Sequence, residues 1–132
     1  MVVGSVGDFM NYEIINYDKD SKEADIIIHN NVGNFICYAH PVEIIQIQSL
    51  NNSYFLSFMT NNIYISEQIY QIKKNDSSYY SYKICGEYIG ENIVKIGEIR
   101  MLIDSCIPKD IYPGEYISFD CMRIDLIYRQ NL

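Results

Sequence analysis

The chain has 132 residues, 48% of them apolar, with a formal charge of −7 and a pI near 4.6. That length and apolar content fit one domain with a buried core rather than a disordered chain. A nucleic-acid binder needs cationic side chains to displace phosphate counterions, and the longest basic run is Lys73-Lys74, so DNA or RNA binding and docking on an anionic membrane are both disfavoured.

In chain order, runs of β-branched and aromatic residues predict strands near 10–17, 24–29, 34–40, 42–48, 54–59, 63–72, 79–89, 92–104 and 114–128. Turn chemistry separates them at Asp18-Lys19-Asp20-Ser21, Asn30-Asn31-Val32-Gly33, Asn51-Asn52-Ser53 and Asn75-Asp76-Ser77-Ser78. Only 66–74 reads two ways. It is either strand or one helical turn capped by Ser66, with Glu67 at its start and Lys73-Lys74 at its end. The whole composition leans the same way. There are 13 tyrosines, Ala occurs only at Ala24 and Ala39, and Leu only at Leu50, Leu56, Leu102, Leu126 and Leu132. Helix-forming residues are thus the scarce ones. Part of the Ile, Asn, Tyr and Lys excess also matches AT-rich codons, as in a low-GC bacterium or phage.

Two hairpins follow from the alternation. With Ile28 opposite Phe35, residues Ala24, Ile26, Ile28, Phe35, Cys37 and Ala39 share an apolar face. Asp25, Ile27, His29, Asn34, Ile36, Tyr38 and His40 then share the other. The second hairpin pairs 92–104 with 114–128 around a loop holding Pro108, Pro113 and Gly114. Placing Asp104 opposite Gly114 sets Met101 against Ile117, Ile99 against Phe119 and Gly97 against Cys121. Past that level the apolar positions change parity, Ile96 meeting Met122 and Val94 meeting Ile124. Such a switch beside a glycine predicts a corner where the hairpin bends between packed layers. The expected fold is therefore a single all-β domain, residues 1–132, with little or no helix. It is read as an antiparallel, strongly bent β-barrel (OB-like among the options) or a two-sheet sandwich of seven to nine strands.

The candidate chemistry is sparse. His29, Cys37 and His40 include a Cys-x-x-His spacing, but alternation turns Cys37 inward and both histidines outward, so neither a zinc site nor a Cys–His nucleophile is expected. Glu98 and Asp120 fall opposite each other in the second hairpin, with Arg100 diagonal to Asp120. Such a cluster suits acid/base work only if the two pKa values are driven apart, and otherwise forms an Arg-balanced surface. Gly4-Ser5-Val6-Gly7 is too short for a phosphate loop, and Asp104-Ser105-Cys106 lacks a partner histidine. Tyr80, Tyr82, Ile84 and Tyr88 alternate onto one face, with Tyr79, Ser81, Lys83 and Glu87 opposite. Tyrosines of this kind serve either an inner face with hydroxyls at the rim or a binding groove.

No catalytic residue, metal or cofactor is therefore assigned. The candidate binding residues are Tyr79, Tyr80, Tyr82, Tyr88, Glu98, Arg100 and Asp120. The favoured function is a non-enzymatic protein that binds another protein, a basic one among the candidates, of the inhibitor, immunity or phage anti-defence kind. The alternatives are a small-molecule-binding barrel with a Tyr-lined cavity and a carboxylate-dependent enzyme; homo-oligomerisation is compatible with any of them. No basic or long apolar stretch opens the chain, and no apolar run reaches the roughly 20 residues of a membrane span, so a cytoplasmic setting is expected. There the four cysteines, Cys37, Cys85, Cys106 and Cys121, are expected to be reduced and buried.

Overall fold

The computed structural model describes residues 3–6, 10–47 and 53–129. The first half holds β1 (Val3–Val6), β2 (Met10–Asp18), β3 (Glu23–Asn30), β4 (Phe35–Ala39), a four-residue helix α1 (Ile44–Ile47), β5 (Ser53–Phe58) and β6 (Asn61–Ile65). The second half holds β7 (Gln71–Lys74), β8 (Tyr82–Gly90), β9 (Ile93–Ile96), β10 (Ile99–Ile103), β11 (Tyr116–Cys121) and β12 (Arg123–Tyr128). The fold is all-β. Hydrogen bonding runs along one path, β1-β2-β3-β4-β12-β5-β10-β9-β8-β11-β6, and β7 joins the side of β8. Among the described residues the path does not return on itself, so the expected barrel closure is absent and β1 and β6 form its two ends. Two of its pairings, β4 with β12 and β5 with β10, are parallel, against the all-antiparallel expectation. No helix among the described residues is long and apolar enough to cross a membrane.

The first hairpin forms in the expected register. Ala24 faces Ala39, Ile26 faces Cys37 and Ile28 faces Phe35, and all six side chains are buried. Its turn is set by Asn30, whose Oδ1 accepts from the Val32 amide at 2.9 Å and whose Nδ2 donates to the Gly33 carbonyl at 2.6 Å. Across the core Phe35 meets Phe55 edge-on at 5.3 Å and Tyr82 at 6.4 Å. The Ile36 amide donates to the Tyr82 hydroxyl at 2.8 Å, so β8 lies against β4. The sheet thus curls until its two halves enclose one cluster of Ile, Phe, Tyr and Val side chains.

The second hairpin does not form as expected. Ile96 pairs with Ile99 across a two-residue turn, so residues 92–104 are themselves a hairpin, β9–β10. β11 pairs instead with β8 and β6, and β12 with β5 and β4. Gly97 is therefore a turn residue at φ +61° rather than a corner facing Cys121. A Cβ built there would lie 2.7 Å from Val32 Cγ2. Gly97→Val is expected to cost about 1–3 kcal/mol, from positive φ on a β-branched residue together with that clash. A denaturant midpoint equal to wild type would refute this.

The parity switch itself is real within 114–128. Ile117, Phe119 and Cys121 are buried, the phase breaks at exposed Met122, and Ile124 and Leu126 are buried after it. At that break the chain leaves one half of the sheet for the other. β8 in turn changes partner along one edge. Tyr82–Cys85 pair with β7, whereas Glu87, Tyr88 and Gly90 pair with β9 on the same edge. Gly86 sits between the two partners.

Other boundaries shift. Residues 63–72 divide into β6 and β7 with 66–70 irregular between them, so neither a continuous strand nor a helical turn is present there. The predicted strand 42–48 contains α1 instead. Ile44, Ile45 and Ile47 are compatible with either period, and the helix turns Ile47 into the core while leaving Ile44 and Ile45 exposed. Gly7, residue 48 and the Asn51-Asn52 part of the predicted turn lie outside the described residues. Cys37, Cys85 and Cys121 are buried and Cys106 is exposed, against expectation; all four are free.

Candidate functional site

The richest polar and aromatic constellation lies on the outer face of β3, β4 and β12. Asp25 faces Tyr38 across the β3–β4 ladder, and Tyr38 faces Asp125 across the parallel β4–β12 pair. Alternation forces this row outward, because Ile26, Cys37, Ile124 and Leu126 occupy the core side. The Asn75–Ser81 turn then brings Tyr80 over the row. Its hydroxyl donates to Asp25 Oδ1 at 2.7 Å, and its ring meets Tyr38 at 6.1 Å and Tyr79 at 4.9 Å.

Arg123 anchors the other end. Its Nε and Nη2 donate to the two Asp125 oxygens at 2.5 and 3.1 Å. Its guanidinium lies over the rings of Tyr38 and Phe58, 4.6 and 4.5 Å from their centroids. The Asp125 hydrogen bonds, outweighing burial, hold the Arg123 pKa above its ordinary value.

Beside this row a groove of about 290 Å³ is lined by Tyr17, Asp18, Glu23, Asp25, Tyr38 and Tyr80 among others. Tyr38 donates to Glu23 Oε1 at 2.8 Å, and Asn16 donates to Asp25 Oδ2 at 3.3 Å. Burial, and then the bond to Glu23, pushes the Tyr38 phenol up to about 12; burial and Asp25 raise Tyr80 likewise. Both hydroxyls therefore remain protonated donors at neutral pH. Asp18 accepts from the Asp20 and Ser21 amides at 2.9 and 3.3 Å, and these bonds hold its carboxyl below the ordinary range. Among the described residues none of Asp18, Glu23 and Asp25 forms an ion pair. The groove is thus an acidic concavity walled by tyrosine rings.

The residues singled out by sequence do not assemble. Tyr80 reaches the site and Tyr79 stands beside it, 51% exposed. Tyr82 and Tyr88 are buried in the core, as the inner-face reading has it. Glu98 is exposed in the β9–β10 turn, and Arg100 of β10 faces Lys95 of β9. Asp120 lies on β11 opposite Lys83 and accepts from Asn62 Nδ2 at 2.9 Å. The Glu98–Asp120 pair therefore does not exist, because the strand pairing that created it does not. His29 lies 3.6 Å from Glu13, His40 stacks on Tyr38, and the Cys37 thiol donates to the Ile26 carbonyl at 3.4 Å. Among the described residues no three His, Cys, Asp or Glu side chains are grouped to hold a metal. Asp104 serves the fold: its carboxylate accepts from the Met59 and Thr60 amides at 2.7 and 3.1 Å.

Asp25, Tyr38, Glu23, Arg123 and Asp125 were missed as site residues. One signal was present, since the correct first-hairpin register already sets Asp25 against Tyr38 on the outer face. No family model matches this chain, and no curated protein or solved structure matches it either.

Proposed function

We propose that this chain is a non-enzymatic binding protein whose acidic, tyrosine-walled groove accepts a lysine or arginine side chain of a basic protein partner. The observation that carries this is the groove itself: three carboxylates with no ion-pair partner among the described residues, two of them fixed by tyrosine hydroxyls. A cation entering it meets carboxylates that need no reorganisation and aromatic faces that attract positive charge. The overall charge of −7 would steer such a partner in and make association salt-dependent. Tyr79, exposed at the groove's flank, offers contact area with few rotatable bonds.

The test is capture of partners from the native host, followed by measured affinity for wild type and for a variant carrying Asp18→Asn, Glu23→Gln and Asp25→Asn. The amide oxygens keep the tyrosine and backbone hydrogen bonds while removing the charge. Affinity is expected to fall about tenfold or more in the triple variant, and by about 1 kcal/mol in Tyr79→Ala, with folding intact. A captured partner that binds both variants as tightly as wild type, without salt dependence, would place the interface elsewhere.

A further inference from the structure

We infer that the partner's cation-bearing segment runs out of the groove across the outer face of the sheet and sets an apolar side chain on a patch formed by Leu56, Phe58, Leu102 and Ile93. This rests on the reading of the groove as a cation site and adds the partner's second anchor. Groove and patch lie along one row. Asp25 faces Tyr38, Tyr38 faces Asp125, Asp125 faces Leu56, Leu56 faces Leu102, and Leu102 faces Ile93. From β3 the order runs β4, β12, β5. At about 4.8 Å between neighbouring strands, Leu56 is thus roughly 14 Å from Asp25.

The sequence of β5 is that of a strand covered on both sides. Its run Tyr54-Phe55-Leu56-Ser57-Phe58 is apolar at every position but Ser57. A strand with one wet face alternates instead. Phe55 and Ser57 are buried on the core side, whereas Tyr54, Leu56 and Phe58 turn outward and are half-buried. Leu102 and Ile93 repeat the pattern beside buried Met101, Ile103 and Val94. None of the four patch residues belongs to the core cluster or packs against it. Adjacent apolar side chains left partly in water on a sheet face mark a contact surface.

Charge and curvature select the occupant. Arg123 and Asp125 stand between groove and patch, but they neutralise each other through two hydrogen bonds. A cation held by Glu23 and Asp25 therefore meets no net positive charge toward the patch. On its far side the patch ends where Arg100 faces Lys95, a pair that repels a second cation. The segment that fits carries its positive charge at the groove end only. Because the sheet curls round its core, the outer face is convex. A flat protein surface touches only part of the row, whereas a narrow extended segment follows it. An extended chain advances about 3.3 Å per residue, so the apolar side chain stands about four residues from the cation.

The probes are acetylated, amidated peptides: Arg-Thr-Ser-Thr-Phe, Arg-Thr-Ser-Thr-Ser and Ser-Thr-Ser-Thr-Phe, each also in reverse order. They are titrated into the full chain and followed by amide and methyl NMR. In one of the two chain directions the peptide with both anchors is expected to bind about fivefold or more tighter than either single-anchor peptide. It should shift the Leu56 and Leu102 methyl signals together with the Asp25 amide. Leu102→Ser should erase the advantage of the phenylalanine and leave the affinity of Arg-Thr-Ser-Thr-Ser unchanged, which also reports that the variant is folded. Equal affinity of the two arginine peptides, or a phenylalanine advantage that survives Leu102→Ser, would overturn the patch and leave the groove standing. Arginine peptides that fail to bind, or that bind the Asp18→Asn, Glu23→Gln, Asp25→Asn variant as tightly as wild type, would remove the groove and this inference with it.

Discussion

Gly86→Val is expected to destabilise this protein by about 3 kcal/mol or more, a large share of the roughly 5–15 kcal/mol that holds a domain folded. A Cβ at Gly86 would lie 2.6 Å from the Lys95 carbonyl oxygen, 2.8 Å from Val94 Cγ1 and 2.9 Å from Ile96 Cγ1. None of these can retreat cheaply. The carbonyl belongs to β9, whose Lys95 is locked in register against Arg100 of β10. Val94 and Ile96 are completely buried. The glycine is needed because β8 changes partners there, from β7 to β9, and β9 packs directly against its backbone. Gly86→Ala should show the same sign with a smaller loss. Urea denaturation giving wild-type midpoints for both would mean that β9 can move away.

Arg123→Leu carries the second large effect, about 2–4 kcal/mol. The Asp125 side chain is 12% exposed and is gripped at both oxygens by the guanidinium. Removing the cation leaves a carboxylate out of water with no charge to balance it, which is the costly way to break a buried pair. The stacking on Tyr38 and Phe58 is lost as well. Replacing both partners, Arg123→Leu with Asp125→Leu, should recover much of the deficit, since the penalty resides in the orphaned charge. If the double variant is as unstable as the sum of its single losses, the two side chains are not coupled and this account fails.

Legibility in the sequence followed the range of the interactions. The β3–β4 hairpin could be read residue by residue because everything that fixes it is local: strict alternation on both arms and an Asn at the head of the turn. The parity change between Cys121 and Ile124 was equally plain, and it does mark a transfer between sheet halves. What misled was adjacency. Residues 92–104 and 114–128 have matched apolar patterns, and Gly97 fits either a sheet corner or a tight turn. Only its positive φ and the Ile96–Ile99 pairing separate the two. Gly86 drew no attention, because the approach of β9 depends on a neighbour that alternation does not name. The site was hidden for the same reason. Arg123 and Asp125 reach Tyr38 through the parallel β4–β12 pairing, and Tyr80 arrives from a turn far from either. Nothing in the spacing of these residues records that meeting.

The strand order has a kinetic consequence. β4 and β5 are consecutive strands of the sequence, yet β12 lies between them; β6 and β8 are likewise separated by β11. The two strands latest in chain order are wedges driven into gaps left by earlier ones. Until residues 116–128 arrive, β4 and β5 each hold an unfilled edge, β6 has no strand beside it, and the half-built sheet cannot seal its core. Closing such long loops costs chain entropy before any contact compensates for it, so folding belongs in the millisecond-to-second range of non-local β proteins. Throughout that interval the waiting edges are open to other chains.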